Sequence, residues 1–309
     1  MKTLLRLLAV LALSTLSAGT SLTSGALAVF TDGSGVGASS FAAGALQPPS
    51  SVTATSGTSI ILSWNTAPSL NGAGYHILRS ATSGGPYSQV GLVTPATANS
   101  FTDSPSAGTY YYVVRSYFQN WDSSNTTQVS AAVTANTGYR SCTAYAAVTT
   151  GSGDNNGYQV NPANACANDG AFAEDTNSGT STTLSCTDTG KDRHLFYDNA
   201  FTIPAGSTIN GMEIRLDAFV NNAAASPSMC VELSWNGGSS WTAAKSTTTL
   251  TNTETTYILG TPADTWGRSW AVGDFTNANF RLRITDVASN NNRDFRLDWV
   301  AVKVTYTLP

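Results

Sequence analysis

Between Met212 and Val220 every second residue is apolar: Met212, Ile214, Leu216, Ala218 and Val220 form one set, with Glu213, Arg215 and Asp217 between them. Successive side chains of a strand point to opposite faces, whereas a helix turns once in about 3.6 residues, so this stretch is predicted to be a strand with one buried and one wet face. Met229-x-Val231-x-Leu233-x-Trp235 repeats the pattern, and so does Phe280-x-Leu282-x-Ile284 against Arg281 and Arg283. A one-sided strand must lay its apolar face on another layer, so residues 138–309 are expected to form a β-sandwich. Near the C-terminus Phe295, Leu297 and Trp299 keep one phase, and Val300, Val302, Val304 and Tyr306 the other. A bulge near Trp299, or burial on both faces, accounts for the change.

At 309 residues the chain exceeds the roughly 100–200 of a single domain, and a second sandwich is expected upstream. Short β-rich segments separated by turn residues run from Gln47-Pro48-Pro49 to Thr134, and no helix of useful length fits. Trp64 is placed to fill the core of this part. Leu62-x-Trp64, Gly74-Tyr75-x-Ile77-x-Arg79 and Gly108-Thr109-Tyr110-Tyr111-Tyr112-Val113-Val114 resemble a fibronectin type III domain of the bacterial surface-protein kind, over the whole of residues 47–135. The resemblance implies a spacer or protein-binding module, with Tyr110 as the corner tyrosine and Tyr112 and Val114 facing inward. Asn161-Pro162-Ala163-Asn164-Ala165, Ile203-Pro204-Ala205-Gly206-x-x-Ile209-x-Gly211 and Leu297-Asp298-Trp299 resemble a jelly-roll-like repeat of exported bacterial proteins, which implies no particular activity. The fold class expected is all-β, two tandem β-sandwiches, fibronectin type III-like and then jelly-roll-like.

The N-terminus points to export. Met1-Lys2-Thr3-Leu4-Leu5-Arg6 is a basic start, Leu7 to Leu16 a short apolar run, and Ala26-Leu27-Ala28 a small-residue cleavage site. Residues 1–28 are therefore read as a cleaved signal peptide and 29–46 as a flexible N-terminal segment. Val29-Phe30-Thr31-Asp32 followed by Ser40-Phe41-Ala42-Ala43-Gly44-Ala45-Leu46 resembles the leader of camelysin and the biofilm-fibre proteins, which implies an export route. An ordinary signal peptide with a Gly/Ser spacer is the alternative. No later apolar run of about 20 residues follows, so no transmembrane segment is expected in the mature chain.

Charged residues make up 11% of the chain, against about 25% in an average soluble domain, and the net charge is -4. No cluster of Lys and Arg could neutralise a row of phosphates, which argues against nucleic acid as a partner. The four cysteines, Cys142, Cys166, Cys186 and Cys230, are even in number and include no CxxC pair, so two disulfides are expected. Three pairings are open, and sequence proximity favours Cys166 with Cys186. Cys230 falls on the polar face of its strand, so its bridge would tie surface elements.

Candidate sites are few. Trp241, Trp266 and Trp270 lie in or beside loops, where flat rings would stack on sugar faces, although large aromatics also serve as core or hairpin plugs. Ser234-Trp235-Asn236-Gly237-Gly238-Ser239-Ser240-Trp241 resembles the Asp-box hairpin of sialidases, with Asn236 where aspartate is usual; it implies a folding device in which the Asx side chain closes a turn. No cofactor is expected, though Asp154-Asn155-Asn156-Gly157, Asn168-Asp169-Gly170 and Asn290-Asn291-Asn292-Arg293-Asp294 offer hard oxygens for a structural calcium. His76 sits on a strand and His194 in the charged patch Lys191-Asp192-Arg193-His194, neither near a nucleophile motif. A glycosidase pair would have to come from Glu174 or Asp175 with Glu232 or Glu254. The function expected is that of a non-enzymatic secreted or cell-surface structural or adhesion protein. The alternative is a carbohydrate-binding module, and the expected partners are extracellular glycans or other surface or matrix proteins.

Overall fold

A computed structural model describes residues 26–28, 43–67 and 74–309; most of the expected signal peptide, most of the segment 29–46 and the Asn71-Gly72 turn lie outside them. The chain divides into two compact units, Met1–Pro105 with Thr109–Ala132, and Ser106–Gly108 with Val133–Pro309. Both are built of antiparallel strands.

In the first unit β1 (Ala26–Ala28) pairs β2 (Ala43–Ala45). The strands that follow are β3 (Ser50–Thr55), β4 (Ile60–Asn65), β5 (Gly74–Ser80), β6 (Ser88–Val93), β7 (Ser100–Asp103), β8 (Gly108–Phe118), β9 (Trp121–Asp122) and β10 (Val129–Val133). They make two sheets, ordered β3-β4-β7 and β10-β8-β5-β6, with β9 on the end of β8. Alternation decides the inner face: Ile60, Leu62 and Trp64 of β4 are buried while Ile61, Ser63 and Asn65 are exposed. Trp64 meets the fully buried Tyr75 edge-on at 5.1 Å between ring centres. On β8, Tyr112 and Val114 are fully buried, as expected of inward positions. Tyr110, expected as the corner tyrosine, is half-buried with Arg79 over its ring, and Tyr112 lies in the interior, where its hydroxyl donates to Asp103 Oδ2 at 2.8 Å.

The second unit opens with β11 (Ala135–Asn136), β12 (Arg140–Ser141), β13 (Ala144–Ala147), β14 (Ala173–Asp175) and β15 (Arg193–Tyr197). It continues with β16 (Thr208–Val220), β17 (Ser228–Ser234), β18 (Lys245–Ser246), β19 (Thr255–Thr261), β20 (Arg281–Val287) and β21 (Phe295–Thr307). One sheet runs β19-β16-β21, with β11, β12 and β14 in succession along the other edge of β21; the second runs β13-β15-β20-β17-β18. Met212, Ile214, Leu216, Ala218 and Val220 of β16 share the core with Met229, Val231 and Leu233 of β17, all without exposure. The change of phase in β21 is a bulge. Asp217 faces Trp299 and Ala218 faces Leu297, which leaves Asp298 as the extra residue.

Two disulfides form, Cys142–Cys166 and Cys186–Cys230, which corrects the pairing favoured by proximity. The 3-10 turn Pro162–Ala165 sets Cys166 beside β21, 4.9 Å from Cys142 between Cα atoms. Cys186 belongs to a loop laid over the outer side of β17, where Cys230 is itself buried. Among the described residues no helix is long and apolar enough to cross a membrane.

Candidate functional site

Many of the few charges are deployed in a repeated unit. A carboxylate holds a cation, and the cation lies over an aromatic ring. On the β16–β21 sheet Glu213 holds Lys303 at 2.7 Å over Tyr139, and Asp217 holds Arg215 at 2.9 Å over Trp299. Glu174 holds Arg296 at 3.1 Å over Phe172 and Phe219. Elsewhere in the unit Glu232 holds Arg283 over Trp241, Asp274 holds Arg268 between Trp235 and Trp270, and Asp264 holds Lys245 over Trp266. The first unit has its own, Asp103 with Arg79 over Tyr110. A solvent-exposed ion pair contributes only about 0–1 kcal/mol, and a cation over an exposed ring about 0.5–1 kcal/mol. Their joint effect is positional, since each cation is fixed from two sides and each ring is roofed.

That roofing bears on the tryptophans. Trp266 and Trp270 are 3% and 8% exposed, and their indole N–H groups donate to Met212 O at 3.2 Å and Thr265 O at 2.7 Å. Trp270 packs on Phe275 and Phe280. The expectation of an open platform at these two residues is therefore corrected: they plug the core. Trp241 is half-buried, with Arg283 4.1 Å from its ring centre. Asn236 closes its hairpin by accepting the Ser240 N–H at 2.8 Å, while Ser234 Oγ accepts the Gly238 N–H at 2.9 Å.

The carboxylates named for catalysis do not pair with one another. Glu174 and Glu232 are held by Arg296 and Arg283. Asp175 instead faces Asp286 inside the second sandwich. The supposed charged patch Lys191 to His194 is buried throughout, at 0%, 1%, 7% and 2% exposure, and runs into this same interior. Asp175, Asp192 and Asp286 are each no more than 1% exposed. Asp286 Oδ1 accepts the Tyr158 hydroxyl at 3.2 Å, and Asp192 Oδ1 accepts the Asp154 N–H at 3.0 Å. Among the described residues no N–H or O–H donor outside the acidic side chains reaches either oxygen of Asp175 or Asp192 Oδ2. Lys191 is the cation among them, yet its Nζ donates to Ser181 O and Ala288 O, both at 2.6 Å.

Burial raises all three carboxyls, reinforced for Asp175 by Asp286 and for Asp192, at about 7, by Asp154. Burial also holds His194 down at about 4, and its Nδ1 accepts the Tyr158 N–H at 3.1 Å. Gly153 sits at φ +57° against Asp192, where a Cβ would stand 1.9 Å from Oδ1. Two of the three oxygen-rich turns named for calcium close on backbone, where Asp169 accepts the Ala171 N–H, Asn290 the Asn292 N–H and Asp294 the Asn177 N–H; in the third, Asp154 is hydrogen-bonded to Asp192. Among the described residues no three His, Cys, Asp or Glu side chains are placed to hold a metal ion. In the first unit His76 pairs with Asp122 at 3.0 Å and stacks on Tyr117.

No protein-family model and no curated protein matches the sequence. Among solved structures, an Fn3-like protein from Clostridium thermocellum is similar at 30% identity over 28% of this chain and 91% of that chain, with a TM-score of 0.25. The chain carries a fibronectin type III-like domain. Its sheets, ordered β3-β4-β7 and β10-β8-β5-β6, are the three- and four-stranded pair of that sandwich. The FN1–FN3 domains of chicken CNTN1 are similar at 11% identity over 79% of this chain and 64% of that chain, with a TM-score of 0.29. The Clostridium thermocellum endo-1,4-beta-D-xylanase 10B CBM22-1-GH10 modules, complexed with xylohexaose, are similar at 13% identity over 56% of this chain and 28% of that chain, with a TM-score of 0.28. Beyond the fibronectin type III-like domain, the second unit is described by its own sheets, a two-layered antiparallel sandwich.

Proposed function

We propose that this is an exported, non-enzymatic surface or matrix protein. In it the fibronectin type III-like domain acts as a spacer and a jelly-roll-like, disulfide-tied sandwich is the binding or assembly unit. The observation that carries the reading is the use of the polar residues: Glu174, Glu213 and Glu232 are engaged with cations over rings, Glu254 is hydrogen-bonded to Asp298, and Asp175, Asp192 and Asp286 are sealed from solvent. The two disulfides support an oxidising compartment. Fractionation of the native host with mass spectrometry of the chain's N-terminus tests export. A mature form beginning near Val29 outside the cell is expected; a cytosolic form retaining Met1 overturns the reading.

Glycan binding is a second reading, narrowed to Trp241, the residue of the three tryptophans whose ring keeps partial exposure. A glycan array with the wild type and Trp241→Ala tests it. Binding by the wild type that the variant loses establishes it, and a silent wild-type array removes it.

A further inference from the structure

We propose that Asp175, Asp192 and Asp286 form a proton-held clasp, which keeps the loops 151–157 and 176–191 seated on the second sandwich in acid and lets them loosen when all three carboxyls ionise. The geometry that carries this is a closed box of acceptors. Asp175 comes from β14, Asp286 from β20 and Asp192 from the residue before β15, and all three side chains are out of solvent. Among the described residues no outside donor reaches either oxygen of Asp175 or Asp192 Oδ2; Asp175 is hydrogen-bonded to Asp286 and Asp192 to the Asp154 carboxyl at the rim, so a proton held within each pair is what can satisfy them.

The loops are fastened to these groups. Asp154 N–H donates to Asp192 Oδ1, and Gly153 N–H to Thr189 O at 2.8 Å. Thr180 N–H donates to Gly190 O at 2.8 Å, and the Lys191 ammonium ties Ser181 O to Ala288 O. The groups facing the three carboxyls are few. Tyr158 is neutral, since burial holds its hydroxyl well above its ordinary range; Asp154 lies exposed at the rim; His194 is held neutral by burial. Asp188, in the loop, is held down at about 2 by Thr183, Gly190 and Ser181, so it is already charged. Arg193 donates to Gly151 O and Asp188 O. Among the described residues Lys191, which also faces the charged Asp188, is the cation opposite the three buried acids, so full ionisation leaves at least two buried negative charges without a partner.

The direction follows from linkage. A carboxyl raised to about 7 in the fold keeps a proton that the unfolded chain releases near pH 4, so its contribution is present in acid and is lost as pH rises through about 7. His194 works the other way, because the unfolded chain takes up a proton below about pH 6.5 that the folded chain refuses until about 4. Three carboxyls outweigh one imidazole, so the net slope is toward lower stability from about pH 5.5 to 8.

The experiment uses the oxidised full chain in EDTA-containing buffers, read by thermal unfolding and by hydrogen exchange corrected for intrinsic rates. From pH 5.5 to 8 the transition of the second sandwich is expected to fall by on the order of 10 °C, with the amides of 176–191 losing protection first. Asp192→Asn is expected to flatten the slope and to be the more stable form at pH 8. The wild-type exchange data stand by themselves if that variant fails to fold. Stability that is level or rises over this range overturns the proposal. So does recovery of the pH 5.5 behaviour at pH 8 on adding millimolar calcium chloride in place of EDTA, since the cluster is then a cation site.

Discussion

The Tyr75 hydroxyl satisfies two backbone groups at once, accepting the Ala67 N–H and donating to Ala96 O, each at 2.9 Å, with all three residues buried. Replacing it with Phe keeps the ring against Trp64 and leaves both backbone groups dry and unmatched. Tyr75→Phe is therefore expected to cost about 1–3 kcal/mol, read from denaturant unfolding at constant m-value; a loss below a few tenths would mean that water replaces the hydroxyl. Single residues also mark where sequence reading stops. The period of two placed Tyr110 and Tyr112 on one face of β8, but only the depth of the fold decides which lies at 0% exposure and which under a guanidinium. Trp266 and Trp270 had no alternation to assign them, because they lie in turns and reach the core from its rim.

At the scale of the strand, alternation was both legible and sufficient. Ile214 is without exposure and its neighbour Arg215 is on the wet face of the same strand, so their truncations should differ by most of the transfer and cavity cost of an aliphatic side chain. Ile214→Ala is expected to destabilise by about 2–5 kcal/mol and Arg215→Ala by less, about 1–2 kcal/mol, because the nearly buried Asp217 loses its cation but keeps Thr256; the two are compared by thermal or denaturant unfolding. Equal losses would show that the outer acid–cation–ring groups bear more of the stability than exposed ion pairs ordinarily do. The same alternation held a signal that was missed. Asp286 falls in phase with Leu282 and Ile284, and Asp175 in phase with Ala173, so two carboxylates were written on core-facing positions. A polar residue on the inner phase of a strand points to a buried cluster, whereas Lys191 to His194 read locally as a solvated patch because their burial depends on loops from elsewhere in the chain.

Over the whole molecule the cysteines divide the labour of the two units. All four lie between residues 142 and 230, so the fibronectin type III-like domain contains no disulfide, while the second sandwich has loops of 24 and 44 residues closed covalently. Their pairing could not be read from spacing, because Cys142 and Cys166 are joined through β12, β21 and the 3-10 turn, contacts remote in sequence. Closing such loops restricts the unfolded chain and contributes roughly 2–4 kcal/mol each, a shift of about 2–4 °C per kcal/mol in a unit of this size. Calorimetry with and without reductant should thus show two behaviours in one sample. The transition of the second sandwich is expected to fall by on the order of 10–20 °C, and that of the fibronectin type III-like domain to stay within about 2 °C. If both transitions move together, the two units do not unfold as separate cooperative bodies. If neither moves, the bridges close loops that the surrounding β-structure already holds in the unfolded ensemble.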